Sequence, residues 1–362
     1  IRCKSPLYLL AAGFFIIFGH TNTNTMRDLK YFIAYLAPLS AFWAIYQGGI
    51  WSFSAFYLAF ILIPIFDQLF PLTSSNIDVH TEDKRSNIVF FDLLLYANVP
   101  ILYGILYYYF STLQSENLAL YEKFGLTLST GIIIGTIGIN VGHELGHRSK
   151  AFEQFLAKML LLPALYQHFF IEHNLGHHKN VATEKDPATS KLNEPIYFFW
   201  VRSVVGGYLN AWKLDNEQRR KLSIPFFSIH NQMLIFSLCS IAYISILGAW
   251  FGMEVLLWSI GASIIGFLLL ESVNYIEHYG LKRKIVGNGK FEPVLPSHSW
   301  NSNHILGRIL LYELTRHSDH HYKSTKEYQI LEFHDESPQL PFGYPTSMVL
   351  SFIPPLWFSI MN

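Results

Sequence analysis

Six long apolar runs constrain this chain more than any other feature of its sequence. A transmembrane helix needs about 20 predominantly apolar residues, and the runs predict membrane spans near 30–47, 49–70, 88–111, 119–140, 230–250 and 253–273. Short glycine-containing turns separate the first span from the second and the fifth from the sixth, so each pair is expected to form an antiparallel hairpin. We therefore predict an all-α polytopic membrane protein with about six transmembrane helices.

The composition agrees with a membrane protein. Apolar residues make up 51% of the chain and charged residues only 14%, against roughly 25% charged residues in soluble domains. The 26 basic and 26 acidic residues cancel, which gives no basic surface for nucleic acid. Two cysteines, Cys3 and Cys239, are too few for a disulfide framework or an iron–sulfur site.

The placement of lysine and arginine predicts the orientation in the membrane. With the N-terminus inside, Lys123 is the only cation left outside, which fits the positive-inside rule. The segments after the fourth and sixth spans then face the cytoplasm. Residues 151–171 are apolar but interrupted by Pro163, and we expect them to lie at the interface rather than to cross again.

The chain begins with Ile1 and not with methionine. Residues 6–19 form a short apolar run behind Arg2 and Lys4, typical of a signal or anchor segment. Either they form a genuine extra segment, or they precede the natural start at Met26, and we favour the second interpretation. Residues 26–362 are expected to form a single membrane-embedded domain.

Nine of the 16 histidines fall in four short motifs on the predicted cytoplasmic side. His143 and His147 follow the fourth span at i, i+4, a spacing that places both on one helix face where they can bind one metal ion. His173 and His177 repeat this spacing. The complete set is His143, His147, His173, His177, His178, His278, His317, His320 and His321.

Two metal ions fit these motifs better than one. If the second motif is helical, His177 and His178 point about 100° apart, toward different centres. Nine imidazoles also exceed the three protein ligands of a catalytic zinc ion. Because imidazole suits zinc, copper, iron and nickel, the ligand type leaves the metal open. His20, His80, His230 and His334 are interpreted as ordinary interfacial side chains, while His168, His298 and His304 lie close to the motifs.

The motifs His-Glu-Leu-Gly-His-Arg (143–148), Glu-His-Asn-Leu-Gly-His-His (172–178) and Arg-His-Ser-Asp-His-His (316–321) resemble the membrane-bound desaturase and hydroxylase superfamily, which has a non-haem di-iron site. Residues 274–280, with 181–189, 298–304 and 314–321, look like the bacterial alkane 1-monooxygenases. The resemblance runs from about Met26 to Phe358. Thr315 stands where glutamine is frequent and Glu184 where proline is frequent, and residues 1–25 have no clear counterpart.

This resemblance implies that residues 26–362 form a di-iron hydroxylase domain in the bacterial inner membrane. It implies two iron ions held by the nine histidines, and hydroxylation of the terminal methyl of n-alkanes with O2. The electrons are expected from a separate rubredoxin, with rubredoxin reductase and NADH upstream, because the sequence has no motif for haem, flavin or NAD.

Three further sets of residues are candidates for supporting roles. An outer layer around the ligands is expected to include Glu144, Glu172, Glu277, Asp186, Asp319 and His304, the carboxylates accepting hydrogen bonds from the ligands' second ring nitrogens. A substrate channel between spans one to four is expected to include Trp51, Phe56, Phe60 and Phe66. Docking of an acidic electron donor, or alternatively of membrane anions, is expected at Arg219, Arg220, Lys221, Lys282, Arg283 and Lys284.

Other functions remain alternatives at this stage. A xylene-type methyl monooxygenase or a fatty-acyl desaturase would share the superfamily motifs. His143-Glu144-Leu145-Gly146-His147 also has the pattern of a zinc metalloprotease, with Glu144 as general base, but that function leaves seven histidines unexplained. A metal transporter would need ionisable residues along its spans, whereas here they cluster at one face.

Overall fold

A computed structural model describes residues 28–115, 117–287 and 289–362. The proposed extra segment at 1–25, the alternative start at Met26 and His20 lie outside the described residues. The described chain is about 69% helical, in agreement with the predicted all-α class.

Six helices are long and apolar enough to span a membrane, as predicted. They are α1 (Leu29–Gln47), α2 (Gly49–Leu69), α4 (Val89–Ser115), α5 (Leu120–Gly146), α9 (Gln232–Phe251) and α10 (Met253–His278). The shorter helices are α3 (Val79–Ser86), α6 (Ala151–Leu161), α7 (Phe169–Glu172, His173–His177 and His178–Asn180), α8 (Ile196–Lys221), α11 (Ile305–Leu310), α12 (His317–Tyr322), α13 (Tyr344–Ser351) and α14 (Pro354–Met361).

Glycines make the two predicted hairpins tight. Gly48, between α1 and α2, and Gly49, the first residue of α2, have φ angles of 59° and 54°, and Gly252, between α9 and α10, has a φ of 88°. Side chains with a Cβ rarely adopt this left-handed region. The chain can therefore reverse within one or two residues at each position.

Helix α5 is the centre of the bundle. In its most apolar stretch 78% of the residues are buried, against 11% in α9. It packs closely on α10, where a Cβ on Gly131 would lie 2.6 Å from Ile265 and one on Gly266 would lie 2.6 Å from Ile134. Small residues thus bring the two backbones together, and these are the two spanning helices that carry histidines at their ends.

Both of these helices are longer than the apolar runs predicted. The runs end near 140 and 273, but the helices continue to Gly146 and His278, so the histidines extend the same rigid elements. Helix α6 has 11 residues, about 16 Å, too short to cross a core of about 30 Å. A small antiparallel hairpin, β1 (Ile285–Gly287) and β2 (Lys290–Phe291), is the described sheet structure.

Candidate metal centre

Nine histidines gather at one end of the bundle in two adjoining groups. Within each group the candidate ligand atoms all lie within 4.8 Å of one another. The five-histidine group is His143, His147, His173, His178 and His320, and the four-histidine group is His177, His278, His317 and His321. These are the nine histidines that the sequence motifs predicted.

Four helical segments supply the side chains. His143 and His147 lie one turn apart at the end of α5, and His278 is the last residue of α10. Helix α12 divides its three histidines, since one belongs to the five-histidine group and two to the four-histidine group. Each group therefore combines side chains from the end of α5 or α10 with side chains from the short helices α7 and α12.

The backbone of α7 determines which of its histidines lie in the same group. His173–His177 is a π-helix, in which hydrogen bonds run from residue i to i+5. His173 Nε2 lies 2.9 Å from His178 Nε2, and His177 belongs to the other group. The wider turn brings residue i+5 onto the face of residue i, so the i, i+4 spacing of His173 and His177 does not place them in one group. His177 and His178 lie in different groups, as the 100° between neighbouring helical residues predicts.

The facing ring nitrogens have the spacing that a shared cation would impose. Nε2 atoms are separated by 2.9 Å in His143–His320, 3.2 Å in His177–His321 and 3.2 Å in His278–His317. Two ligand nitrogens at a right angle, each about 2.1 Å from one ion, would be ~3.0 Å apart. Facing lone pairs repel unless a proton or a cation lies between them, so the donor set of each group fits a metal ion.

Burial keeps most of these imidazoles in the neutral form that binds metals. It lowers the pKa of His320 to about 3, and burial together with neighbouring histidines lowers the pKa values of His147, His173, His178, His317 and His321 well below the ordinary value. The exception is His177. Burial lowers its pKa, but the Asp186 carboxylate raises it further, and the net shift is upward.

Asp186 has the contact that the sequence predicted for an outer carboxylate. Its Oδ2 atom accepts a hydrogen bond from His177 Nδ1 at 2.8 Å, and the Thr189 hydroxyl donates to the same oxygen at 2.5 Å. This bond directs Nε2 of His177 toward the other ring nitrogens of its group. Glu277 differs from the prediction, since its Oε2 atom lies 3.1 Å from Nε2 of His317, on the ligand side of the ring.

The remaining four candidates of the outer layer have other partners. Glu144 accepts from Arg148, Glu172 from Asn210, Asp319 from His334, and His304 bonds Ser302. Within the described residues none of the four hydrogen-bonds a histidine of either group. For Glu144, Glu172 and Asp319 the reason is geometric, because the neighbour of a histidine in a helix points about 100° away from it. Glu144 also accepts from the Tyr328 amide at 3.1 Å, which does not suit a free general base.

An apolar cavity of about 120 Å³ ends at the histidines. His143 and His173 of the five-histidine group line this end, together with His317 of the four-histidine group and Glu277. Its walls are mainly aliphatic side chains, among them Leu58, Ile63, Ile132, Leu269, Val273 and Leu310. The cavity therefore connects the membrane-embedded part of the bundle with both groups.

The predicted channel aromatics are only partly at this cavity. Phe60 lines it, but Trp51, Phe56 and Phe66 do not. Trp51 and Phe66 are 50% and 39% exposed on the outside of the bundle, and Phe56 packs against Phe60 with ring centroids 5.6 Å apart. Only one face of a helix points inward, so the aromatic residues of α2 cannot all line the cavity.

The six predicted docking cations fall into two sets, those engaged in internal contacts and those that are exposed. Arg219 is buried against Asp215, and Arg283 donates to the carbonyl groups of Lys179 and Glu292. The other four, Arg220, Lys221, Lys282 and Lys284, are exposed. Only these four can meet a partner without first losing an internal contact.

Sequence analysis missed two residues that support the candidate ligands. Thr189 lies three residues after Asp186 in the motif at 181–189, and this spacing was an available signal. The Tyr344 hydroxyl donates to Glu277 at 2.8 Å, but no local pattern links residues so far apart in sequence. His168, His230, His298 and His334 lie outside both groups, and His80 is exposed.

Comparisons with known proteins agree with this architecture. Residues 123–348 match the fatty acid desaturase family. The chain is 35% identical to alkane 1-monooxygenase 2 of Alcanivorax borkumensis, over 96% of this chain and 94% of that protein. It is 36% identical to the alkane 1-monooxygenase of Pseudomonas putida, over 90% and 81%, and 26% identical to the xylene/toluene monooxygenase hydroxylase component XylM of Pseudomonas putida, over 93% and 88%. The chain therefore belongs to the fatty acid desaturase family of membrane proteins and, within it, to the alkane 1-monooxygenases.

Proposed function

We propose that this protein hydroxylates the terminal methyl group of n-alkanes, using two iron ions held by the two histidine groups and electrons from rubredoxin. The balanced reaction consumes one alkane, one O2, two electrons and two protons, and it forms one 1-alkanol and one water. The observation that carries the proposal is the apolar cavity that ends on both groups. The relatives of this chain include proteins named alkane 1-monooxygenases, which supports the same function.

The cavity suits a substrate without polar groups. An alkane would lose no hydrogen bonds on entering the cavity, and burial of each methylene group there is worth roughly 0.8 kcal/mol relative to exposure to water. The narrow apolar walls would hold the chain extended and keep water out. Only a chain terminus can then reach His143, His173 and His317, which accounts for attack at the terminal carbon.

The strength of an alkane C–H bond explains the need for a redox metal. The bond has no polarity for an acid, a base or a nucleophile to use, and bound iron would supply the one-electron and O2 chemistry. The protein would hold the ions through neutral imidazoles and orient His177 through Asp186. The two cysteines of this sequence cannot form a four-cysteine electron-transfer site, which supports rubredoxin as the source of the electrons.

The first test is metal analysis coupled to an alkane assay. We expect the purified protein in detergent to contain about two irons per chain and to convert octane to 1-octanol with rubredoxin, its reductase and NADH. One NADH should be consumed per 1-octanol formed. A protein with one zinc ion and no oxygen consumption would contradict the proposal. Faster turnover of xylene than of octane would favour the xylene-type function, which the 26% identity to XylM keeps as the second candidate.

The position of Phe60 predicts a change in substrate preference. Replacing Phe60 with alanine enlarges the cavity, and we expect the ratio of kcat/KM for a longer alkane to that for octane to rise about tenfold, since one or two methylene contacts are worth about 1–3 kcal/mol. Phe66→Ala removes the same ring from the same helix but outside the cavity. It should leave the ratio unchanged, and competition assays with mixed alkanes measure both variants. An equal shift in the two variants would count against this cavity as the substrate site.

A further inference from the structure

A basic groove of about 860 Å³ lies on the same end of the molecule as the histidines. The segment at 182–192, one side of α8 and the segment before β1 form its walls. Four lysines line it, Lys185, Lys191, Lys213 and Lys282, and all four are exposed. The structure therefore presents a concave, positively charged surface here.

These lysines are available to a partner. Among the described residues, none of the four has a carboxylate within ion-pair distance, 4.0 Å. The two arginines that also line the groove are already engaged, since Arg202 pairs with Glu194 at 2.7 Å and Arg283 donates to backbone carbonyl groups. Glu184 and Asp186 are the acidic side chains of the lining. Glu184 is exposed, and Asp186 is buried beneath the groove, bonded to His177.

The floor of the groove is one contact away from the four-histidine group. Asp186 and Thr189 line the groove, and Asp186 bonds Nδ1 of His177, whose Nε2 lies 3.2 Å from His321. The apolar cavity meets the centre from another direction and includes His143 and His173 of the five-histidine group. A docked protein and a bound alkane would therefore approach the centre without competing for space.

We propose that the groove binds an acidic one-electron carrier protein and that its electrons enter the centre through Asp186 and His177, at the four-histidine group. The inference rests on the proposed function, which requires an external donor. In each transfer the carrier is oxidised by one electron and the centre is reduced by one, so two docking events supply one turnover. Opposite charge would steer the carrier to the groove and fix its orientation.

The test measures binding separately from turnover. Reduced rubredoxin is titrated against the iron-loaded protein in nanodiscs of phosphatidylcholine, which carries no net charge. We expect the triple variant Lys185→Glu, Lys213→Glu and Lys282→Glu to raise the Kd at least tenfold at low salt and to lose most of its salt dependence. The matched control, Arg220→Glu with Lys221→Glu, reverses exposed cations outside the groove and should keep the wild-type Kd.

A second variant tests the route. Asp186→Asn should bind rubredoxin with the wild-type Kd, but stopped-flow reduction of its iron by rubredoxin should slow at least tenfold per bound iron, with reduction by dithionite unchanged.

The groove would not be the docking site if the triple variant bound rubredoxin with the wild-type Kd, or if only the Arg220 and Lys221 control bound it more weakly. A wild-type transfer rate in Asp186→Asn would overturn the route. If the triple variant bound rubredoxin like the wild type but bound vesicles of anionic lipid more weakly, the groove would be a lipid site instead. Absence of 1-octanol from the wild-type protein would refute the proposed function and not the groove.

Discussion

Replacing His177 and His321 together with alanine is expected to leave one tightly held metal ion per chain. Replacing His177 and His178 with alanine is expected to lower the affinity for both ions. His177 and His321 belong to the four-histidine group, with ring nitrogens 3.2 Å apart, and His178 belongs to the five-histidine group. The first double variant leaves one group intact. The second leaves three histidines in one group and four in the other.

The size of the effect follows from the number of ligands lost. Four-ligand zinc sites have apparent binding free energies of about 10–16 kcal/mol, so one ligand contributes roughly a quarter of that, or on the order of a hundredfold in affinity. A titration with an iron chelator should show one ion with wild-type affinity in His177→Ala/His321→Ala. It should show two ions bound with lower than wild-type affinity in His177→Ala/His178→Ala. Neither variant should form 1-octanol.

His168 supplies a matched control for these variants. It is buried just before α7, and its ring lies 4.3 Å from that of Tyr166, but it belongs to neither group. His168→Ala should therefore retain both ions, even if the protein loses some thermal stability. If the two double variants released iron identically, the division into two groups would be wrong.

The fold could be predicted from sequence because its largest determinant is local. Each spanning helix satisfies its own backbone hydrogen bonds, so an apolar run of sufficient length is enough to predict it. The helix ends were less predictable. Hydropathy stops near 140 and 273, but α5 and α10 continue to Gly146 and His278, because the backbone continues in helical conformation where the side chains become polar.

The membership of the two histidine groups could be predicted only in part. His143 with His147, and His317 with His321, follow the α-helical rule of i, i+4, and each pair lies within one group. The π-helix at His173–His177 breaks this rule. No periodicity of apolar residues reveals a single π-turn, so the partner of His173 became evident only in three dimensions.

Residues around the centre were the least predictable. The contacts of Glu277 with Tyr344 and His317, and of Asp186 with His177, depend on how separate helices approach one another. Sequence proximity to a histidine was a misleading guide, as Glu144 and Glu172 show. The groove lysines likewise come from three separate segments, and three of them, Lys185, Lys191 and Lys213, were not among the predicted docking cations.

Glu313 is expected to be the most important single carboxylate for stability outside the metal centre. It is 3% exposed and accepts hydrogen bonds from Lys30 at 3.0 Å, Tyr31 at 2.9 Å and Arg308 at 2.7 Å. Arg316, the first residue of the last histidine motif, lies 4.0 Å away. Glu313 thus joins the start of α1 to the segment that positions α12.

Its titration gives the direction of the pH dependence. Burial raises the pKa of Glu313, but Lys30, Arg308 and Arg316 lower it further, and the net shift is far below the ordinary value. Because the folded-state pKa is depressed, the stabilisation is fully present above the unfolded-state pKa of about 4.3. It is lost as the pH falls below that value toward the folded-state pKa. We expect thermal stability to decline with acid in the wild-type protein and this part of the decline to be absent in Glu313→Ala.

Glu313→Ala should lower stability at pH 7 by about 3–5 kcal/mol, since it leaves Arg308 and Arg316 buried without their carboxylate. The unfolding temperature in detergent should fall by roughly 5–10 °C. Lys30→Ala is the control, because its side chain is 31% exposed and such pairs contribute at most about 1 kcal/mol. Arg308 also donates to the Thr73 carbonyl group at 2.7 Å, so the alanine variant keeps one anchor for this arginine and should still fold. Equal losses in the two variants would mean that Glu313 stabilises the fold only as the partner of Lys30, and not by compensating the buried arginines.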